Sequence, residues 1–187
     1  MSRTVNVFGY PMTVGFPLNL VRRPDGTIHP AARGAAWVAL AVTLVAGFEG
    51  FASKPYVDRV GTGHPITWCD GETAADTHGK VPPLNAVFTK AECTAELQDK
   101  LTTVYDPAIR KCIHVTLPPH REAALVSAAY NLGPAAICNG AIARNLNAGN
   151  VAAGCNALLA YNHAGGRVVA GLTARREQER ELCLMDN

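Results

Sequence analysis

The chain has 187 residues, with 17 Lys and Arg against 15 Asp and Glu, and a formal charge of only +2. That length is ample for one domain with a sizeable core, and 48% hydrophobic with 17% charged residues excludes a disordered or fibrous chain. The near balance of charge also excludes a dedicated nucleic-acid binder, which would show a basic face. The charge is nevertheless uneven. Residues 1–48 hold four Arg and one acid, residues 49–100 five bases and eight acids, and residues 101–187 eight bases and six acids. An acidic middle fits a cleft whose carboxylates act on a substrate that is uncharged or cationic at its reaction centre. Most of Asp70, Glu72, Asp76, Glu92, Glu96 and Asp99 read as solvated surface.

In chain order, residues 1–30 read as short extended pieces. Val5 and Val7 alternate before the Gly9-Tyr10-Pro11 break, and Arg23-Pro24-Asp25-Gly26-Thr27 is a turn signal between Leu20-Val21 and Ile28. Gly34–Phe48 carries no charge and follows Arg22, Arg23 and Arg33, as in a signal-peptide core, with Leu44-Val45-Ala46-Gly47 resembling a small-residue cleavage site. Some thirty residues precede the run, however, and it falls short of the ~18 apolar residues of a membrane span. A buried helix is the preferred reading, because Trp37, Leu40, Ala41, Leu44, Val45 and Phe48 recur at helical spacing. Transient membrane contact through 34–48, or a role in export, stays open.

Residues 54–85 mix Gly, Pro, Thr and Asp with scattered Val, Ile and Trp, the pattern of a small irregular sheet. Thr89 with Glu92 forms a capping box for a helix that places Leu97, Leu101 and Val104 on one face, and Asp106-Pro107 interrupts it. Beyond Pro118-Pro119 the Ala-rich stretch 120–131 predicts a helix stopped by Gly133-Pro134. Further helices are expected at 135–147, 151–161 and 172–184. The outline is an α+β protein of two lobes, with no internal repeat.

Six cysteines stand at Cys69, Cys93, Cys112, Cys138, Cys155 and Cys183. An even count without a C-x-x-C pair speaks for disulfides and an oxidising compartment, with reduced buried thiols as the alternative. Sequence does not choose among the pairings. Cys112, His114 and Cys138 as a cysteine-peptidase set lack a fixed base, and His64, Cys69 and His78 match no common zinc spacing. No metal and no organic cofactor is expected.

Glu49 closes the apolar helix between Phe48 and Gly50-Phe51, where lost hydration would keep its carboxyl protonated for general-acid work. Asp58, nine positions on in polar, turn-like sequence, should stay ionised. Two carboxyl groups in contrasting settings are the minimum equipment for glycoside hydrolysis.

Phe48-Glu49-Gly50, Lys54-Pro55-Tyr56-x-Asp58, Val60-Gly61 and Thr67-x-Cys69-x-Gly71 resemble the active-site segment of phage-type lysozymes, the endolysins that cleave peptidoglycan. Ala129-Tyr130-Asn131-Leu132-Gly133 is similar to their substrate-facing helix end. Ala164-Gly165-Gly166-Arg167, Gly171-Leu172 and Arg175-Arg176-Glu177-x-Glu179-Arg180 with Cys183 are similar to their C-terminal signature. The likeness covers about residues 35–187. It implies a lysozyme-like fold, mainly helical with a small irregular β-sheet lobe, over 34–187, with 1–33 as an N-terminal extension of short extended segments.

The family pattern is a Glu, eight residues, an Asp, five residues and a Thr. Glu49 and Asp58 match it. The third position falls on His64, whereas the Thr-x-Cys-x-Gly context selects Thr67 and implies a three-residue insertion within Gly61–Ile66. Thr62 and His64 remain alternatives for that role. Asp70 reads as a spare surface carboxylate.

The resemblance implies hydrolysis of the β-1,4 bond between N-acetylmuramic acid and N-acetylglucosamine. Glu49 would act as general acid, Asp58 and Thr67 would place a water, and Tyr130 and Asn131 would line the sugar cleft. The partner would be peptidoglycan glycan strands, met by a monomer made in the host cytoplasm and acting in the periplasm or outside the cell. The competing readings are a wall-binding protein that kept the scaffold without turnover, and a lytic transglycosylase. Arg175, Arg176 and Arg180 alternate with Glu177, Glu179 and Glu181, which reads as intrahelical pairing or as contact with the anionic wall polymer.

Overall fold

The computed structural model describes residues 3–7, 10–14, 30–59, 63–74 and 81–185, with side chains from Ala36 onward. An antiparallel hairpin, β1 (Arg3–Val7) and β2 (Tyr10–Val14), comes first, in line with the extended pieces read there. The expected turn at Arg23–Thr27 lies outside the described residues.

Helix α1 (Pro30–Glu49) follows. Trp37, Ala41, Leu44 and Val45 are buried and Leu40 partly so, as the helical spacing requires. Gly50, at φ +78°, takes the left-handed conformation that ends a helix cheaply, which leaves Glu49 as the last residue of α1. The chain then turns into β3 (Ala52–Val57), antiparallel to β4 (Ile66–Cys69). Their register shifts between Ala52 and Tyr56, at Pro55, which has no N–H for the ladder.

Helix α2 (Lys90–Lys100) starts at the capping box: Thr89 Oγ1 accepts from the Glu92 N–H, and Glu92 Oε2 accepts from the Thr89 N–H. Leu97 and Leu101 are buried, but Val104 is exposed. The cause is a π-helical turn over Leu101–Tyr105, closed by the Asp106 N–H on the Leu101 carbonyl, which rotates later residues out of the 3.6-residue phase. Asp106-Pro107 therefore does not interrupt the helix. It opens α3 (Asp106–Arg110), where a proline in the first turn has no hydrogen bond to lose.

Helix α4 (Pro119–Leu132) is the central element, packed on α1 and α8 (Ala170–Leu184). The helix expected over 135–147 is instead two, α5 (Pro134–Cys138) and α6 (Ala141–Asn147). They part at Gly140, where an added Cβ would stand 2.8 Å from the Tyr161 hydroxyl. Helix α7 (Val151–Asn156) runs into a 3-10 turn at Ala157–Ala160, and β5 (His163–Ala164) with β6 (Arg167–Val168) precede α8. The molecule is thus mainly helical with small two-stranded antiparallel sheets. Among the described residues no helix is long and apolar enough to cross a membrane.

All six cysteines pair in chain order: Cys69–Cys93 ties β4 to α2, Cys112–Cys138 ties the end of α3 to α5, and Cys155–Cys183 ties α7 to α8. Cys112 and Cys138 are therefore not thiolate nucleophiles, and Cys69 is not a zinc ligand.

Candidate active site

The carboxyl group of Glu49, at the foot of α1, is about a quarter exposed and faces the start of the hairpin lobe. Its surroundings are less apolar than the sequence suggested. Arg175 of α8 donates from Nη1 to Glu49 Oε1 at 2.5 Å, and its guanidinium lies 4.9 Å from the centre of the Phe48 ring. The aromatic neighbour is present, but a cation lies over its ring and bonds the carboxyl.

That cation is itself held in place. Arg175 Nε donates to Glu179 Oε1 at 3.3 Å, and Arg176 pairs with Glu179 Oε2 at 3.0 Å. Ser127 Oγ on α4 donates to Glu179 Oε1 at 2.8 Å. The Arg–Glu alternation does pair within the helix, one turn apart, but Arg175, Arg176 and Glu179 face the core rather than a wall polymer. Burial pushes the Glu179 carboxyl above its ordinary value, with Arg176 and Arg175 pulling the other way. Arg180 bonds Asn156 Oδ1 at 2.5 Å.

Asp58 follows directly on β3, partly exposed, and its N–H donates to the Pro65 carbonyl at 2.8 Å, closing the hairpin. Thr67 sits on β4 opposite Tyr56. It is buried, and its Oγ1 meets no hydrogen-bond partner among the described residues. His64 is exposed in the turn, at φ +50°. Thr62 lies outside the described residues.

Two carboxylates read as surface are buried. Asp70 is 5% exposed and Glu72 2%. Burial, and then the negative charge of Glu49, raise the Asp70 carboxyl above its ordinary value, against Lys90 and Lys100. Glu72 pairs with Lys100 of α2, whose ammonium lies 5.2 Å from the Tyr130 ring centre. The partners are 28 positions apart, so no local pattern marked them. Glu92, Glu96 and Asp99 are exposed as expected, and Asp76 lies outside the described residues.

Tyr130 is half-buried, with its hydroxyl donating to the Asp70 carbonyl at 3.0 Å and its ring 5.2 Å from that of Tyr105. Asn131 is exposed, its Oδ1 accepting from Arg176 at 3.0 Å. The foot of α1, α8 and the turn after β4 thus bring a carboxyl, a guanidinium and a second, buried carboxyl to one junction. Sequence reasoning gave Arg175 and Asp70 other roles and did not single out Lys100.

A helix that ends on a glutamate, a short hairpin carrying an aspartate and a threonine, and a helical lobe behind them form the architecture of a lysozyme. The model of the phage lysozyme family matches residues 46–179, and the chain belongs to that family. It is 37% identical over 160 residues to the SAR-endolysin of Enterobacteria phage P21, covering 82% of this chain and 92% of that one. A crystal structure of P22 lysozyme superposes with a TM-score of 0.66 at 28% identity, over 78% of this chain and 95% of that one. The muramidase domain of SpmX from Asticaccaulis excentricus also gives a TM-score of 0.66, at 25% identity over 78% and 95%.

Proposed function

We propose that the protein is an endolysin that hydrolyses the β-1,4 bond between N-acetylmuramic acid and N-acetylglucosamine in peptidoglycan. Glu49 protonates the glycosidic oxygen. Asp58 and Thr67 hold a water on the opposite face of the sugar, Asp58 takes its proton, and the water oxygen bonds the anomeric carbon with inversion. Once Glu49 has given up its proton, the carboxylate it leaves faces Arg175 at 2.5 Å. A fixed guanidinium at that spot stabilises the charge that develops as the bond breaks, at no cost of reorientation.

The observation that carries the reading is the order Glu49, Asp58, Thr67 along one helix-and-hairpin unit, in a chain of the phage lysozyme family. Thr67 is favoured over His64 because it stands on β4 in the Thr-x-Cys-x-Gly context, whereas His64 is exposed in the turn at φ +50°. The glycan strand would run past the end of α4, with Asn131 at its edge. Three disulfides suit action in the periplasm or outside the cell, after synthesis in the host cytoplasm. The working form would be a monomer, and the catalytic unit residues 34–187.

The test uses purified sacculi with the wild type and Glu49→Gln. The isosteric amide keeps the Arg175 contact but cannot supply the proton, so turnover should fall by about 10²- to 10⁴-fold. Released muropeptides should carry a reducing sugar, one water heavier than the anhydro product of a transglycosylase. Full activity in Glu49→Gln, or anhydro products, would overturn the reading.

A further inference from the structure

The turn between β4 and Glu72 is short, strained and fastened at each corner. Trp68 and Glu72 close it with two backbone hydrogen bonds, Trp68 N–H to the Glu72 carbonyl at 3.1 Å and Glu72 N–H to the Trp68 carbonyl at 2.9 Å. Between them, Cys69 stands at φ +50°, a conformation costly for a residue with a Cβ, and Gly71 at φ +93°. Strained backbone of this kind persists only where its surroundings over-determine it, and it clusters at functional sites.

Three fasteners from two helices supply that constraint. The Cys69–Cys93 disulfide holds the first corner to α2. The Tyr130 hydroxyl of α4 holds the Asp70 carbonyl in the middle. Lys100, at the far end of α2, holds the Glu72 carboxylate at the last corner, its ammonium over the Tyr130 ring. What the turn touches is the site. A Cβ built on Gly71 would lie 3.6 Å from Glu49 Oε2, so the backbone of the turn forms one wall of the Glu49 carboxyl, opposite Arg175.

The geometry points to Lys100 and Tyr130 as positioning residues: together they clamp the Cys69–Glu72 turn against Glu49 and fix where its carboxyl can stand, and Tyr130 does this in place of binding sugar. Neither side chain touches the reacting atoms. Both act through the turn, which rests on the muramidase reading above for its effect on turnover. Among the described residues, the charged groups around it include Glu49, Arg175, Glu72, Lys90, Glu96, Lys100 and the Asp70 carboxyl itself.

Tyr130→Phe removes only the hydroxyl that holds Asp70 and keeps the ring. Lys100→Met alone removes the cation that bonds the Glu72 carboxylate, so it is paired with Lys100→Met/Glu72→Gln, which removes both charges. Each folded variant is assayed on dye-labelled sacculi for kcat and half-saturating concentration, and the Glu49 carboxyl is titrated by ¹³C NMR.

Tyr130→Phe and the double variant should each lose about tenfold in kcat, within the ~10²-fold that a 1 Å misplacement costs. Half-saturation should stay within about twofold, and the Glu49 titration midpoint should move. An unchanged kcat with a raised half-saturating concentration makes Tyr130 a sugar contact and overturns the clamp. So does a fall in activity no larger than the loss of folded protein. If the wild type releases no fragments, it is the muramidase reading that fails. The Glu49 titration then decides the clamp alone, and an unmoved midpoint overturns it.

Discussion

From Ala123 to Ala129, helix α4 buries every side chain completely, and only Ser127 among them is polar. This stretch meets α1 and α8 through apolar groups, apart from Ser127, whose hydroxyl donates to Glu179. Where α1 meets the hairpin lobe, the chain instead buries Asp70, Glu72, Lys100, Arg175, Arg176 and Glu179. The two regions cost and yield different things. Apolar burial contributes about 25 cal/mol per Å² with little demand on direction. Buried ions lose hydration that their partners repay only in good geometry, so such a cluster is poor evidence for stability. Its concentration around one glutamate marks where position, rather than adhesion, is being fixed.

The sharpest way to break the contrast is to remove the anion at the centre of the junction. Glu179→Ala takes the carboxylate from two buried guanidinium groups, leaving Arg176 with Asn131 and Arg175 with Glu49. The expected cost is about 3–5 kcal/mol, read as a lower urea midpoint. Lysis should fall further than the folded fraction does, because Arg175 loses the bond that aims it.

In the apolar region the corresponding change is Leu125→Ala, which empties a fully buried site. It should cost about 2–5 kcal/mol through lost transfer energy and the cavity left behind. Activity per folded molecule should stay close to wild type. If both substitutions cut activity and stability in the same proportion, the two regions are not distinct in function.

The same contrast explains how much was legible in the amino-acid order. Trp37, Ala41, Leu44 and Val45, and the Thr89–Glu92 box, announce themselves because helical spacing and capping are local rules. The disulfides could be expected from the cysteine count but not paired, since pairing depends on the finished fold. The π-turn at Leu101–Tyr105 was invisible, because one extra residue per turn leaves no compositional trace before Pro107. Asp70 and Glu72 were misread as surface for a related reason. Lys100, 28 positions on, pairs the buried Glu72 carboxylate, and Tyr130, 60 positions on, holds the Asp70 backbone inside. Arg175 reaches Glu49 across 126 positions. A motif can carry a glutamate's identity, but not the cation that folding brings to it.

Another buried charge, near the start of α4, supplies the mildest test. Glu122 bonds Arg110 of α3, with Asp106 beside the pair. Burial outweighs the attraction of Arg110 and pushes the Glu122 carboxyl up to about 7, from 4.5. A carboxyl whose value is higher folded than unfolded takes up a proton on folding. Its contribution to stability is therefore fully present below about pH 4.5 and is lost as pH rises through about 7. Melting temperatures of the wild type should drop across that window, and Glu122→Gln, which cannot titrate, should flatten the drop. Lysis measured at fixed pH should not change between the two, since Glu122 touches neither the clamped turn nor the Arg175 network. A Glu122→Gln enzyme with an altered pH profile of activity would mean that charge at the far end of α4 is felt at Glu49, and that the division between the two regions is less complete than their side chains suggest.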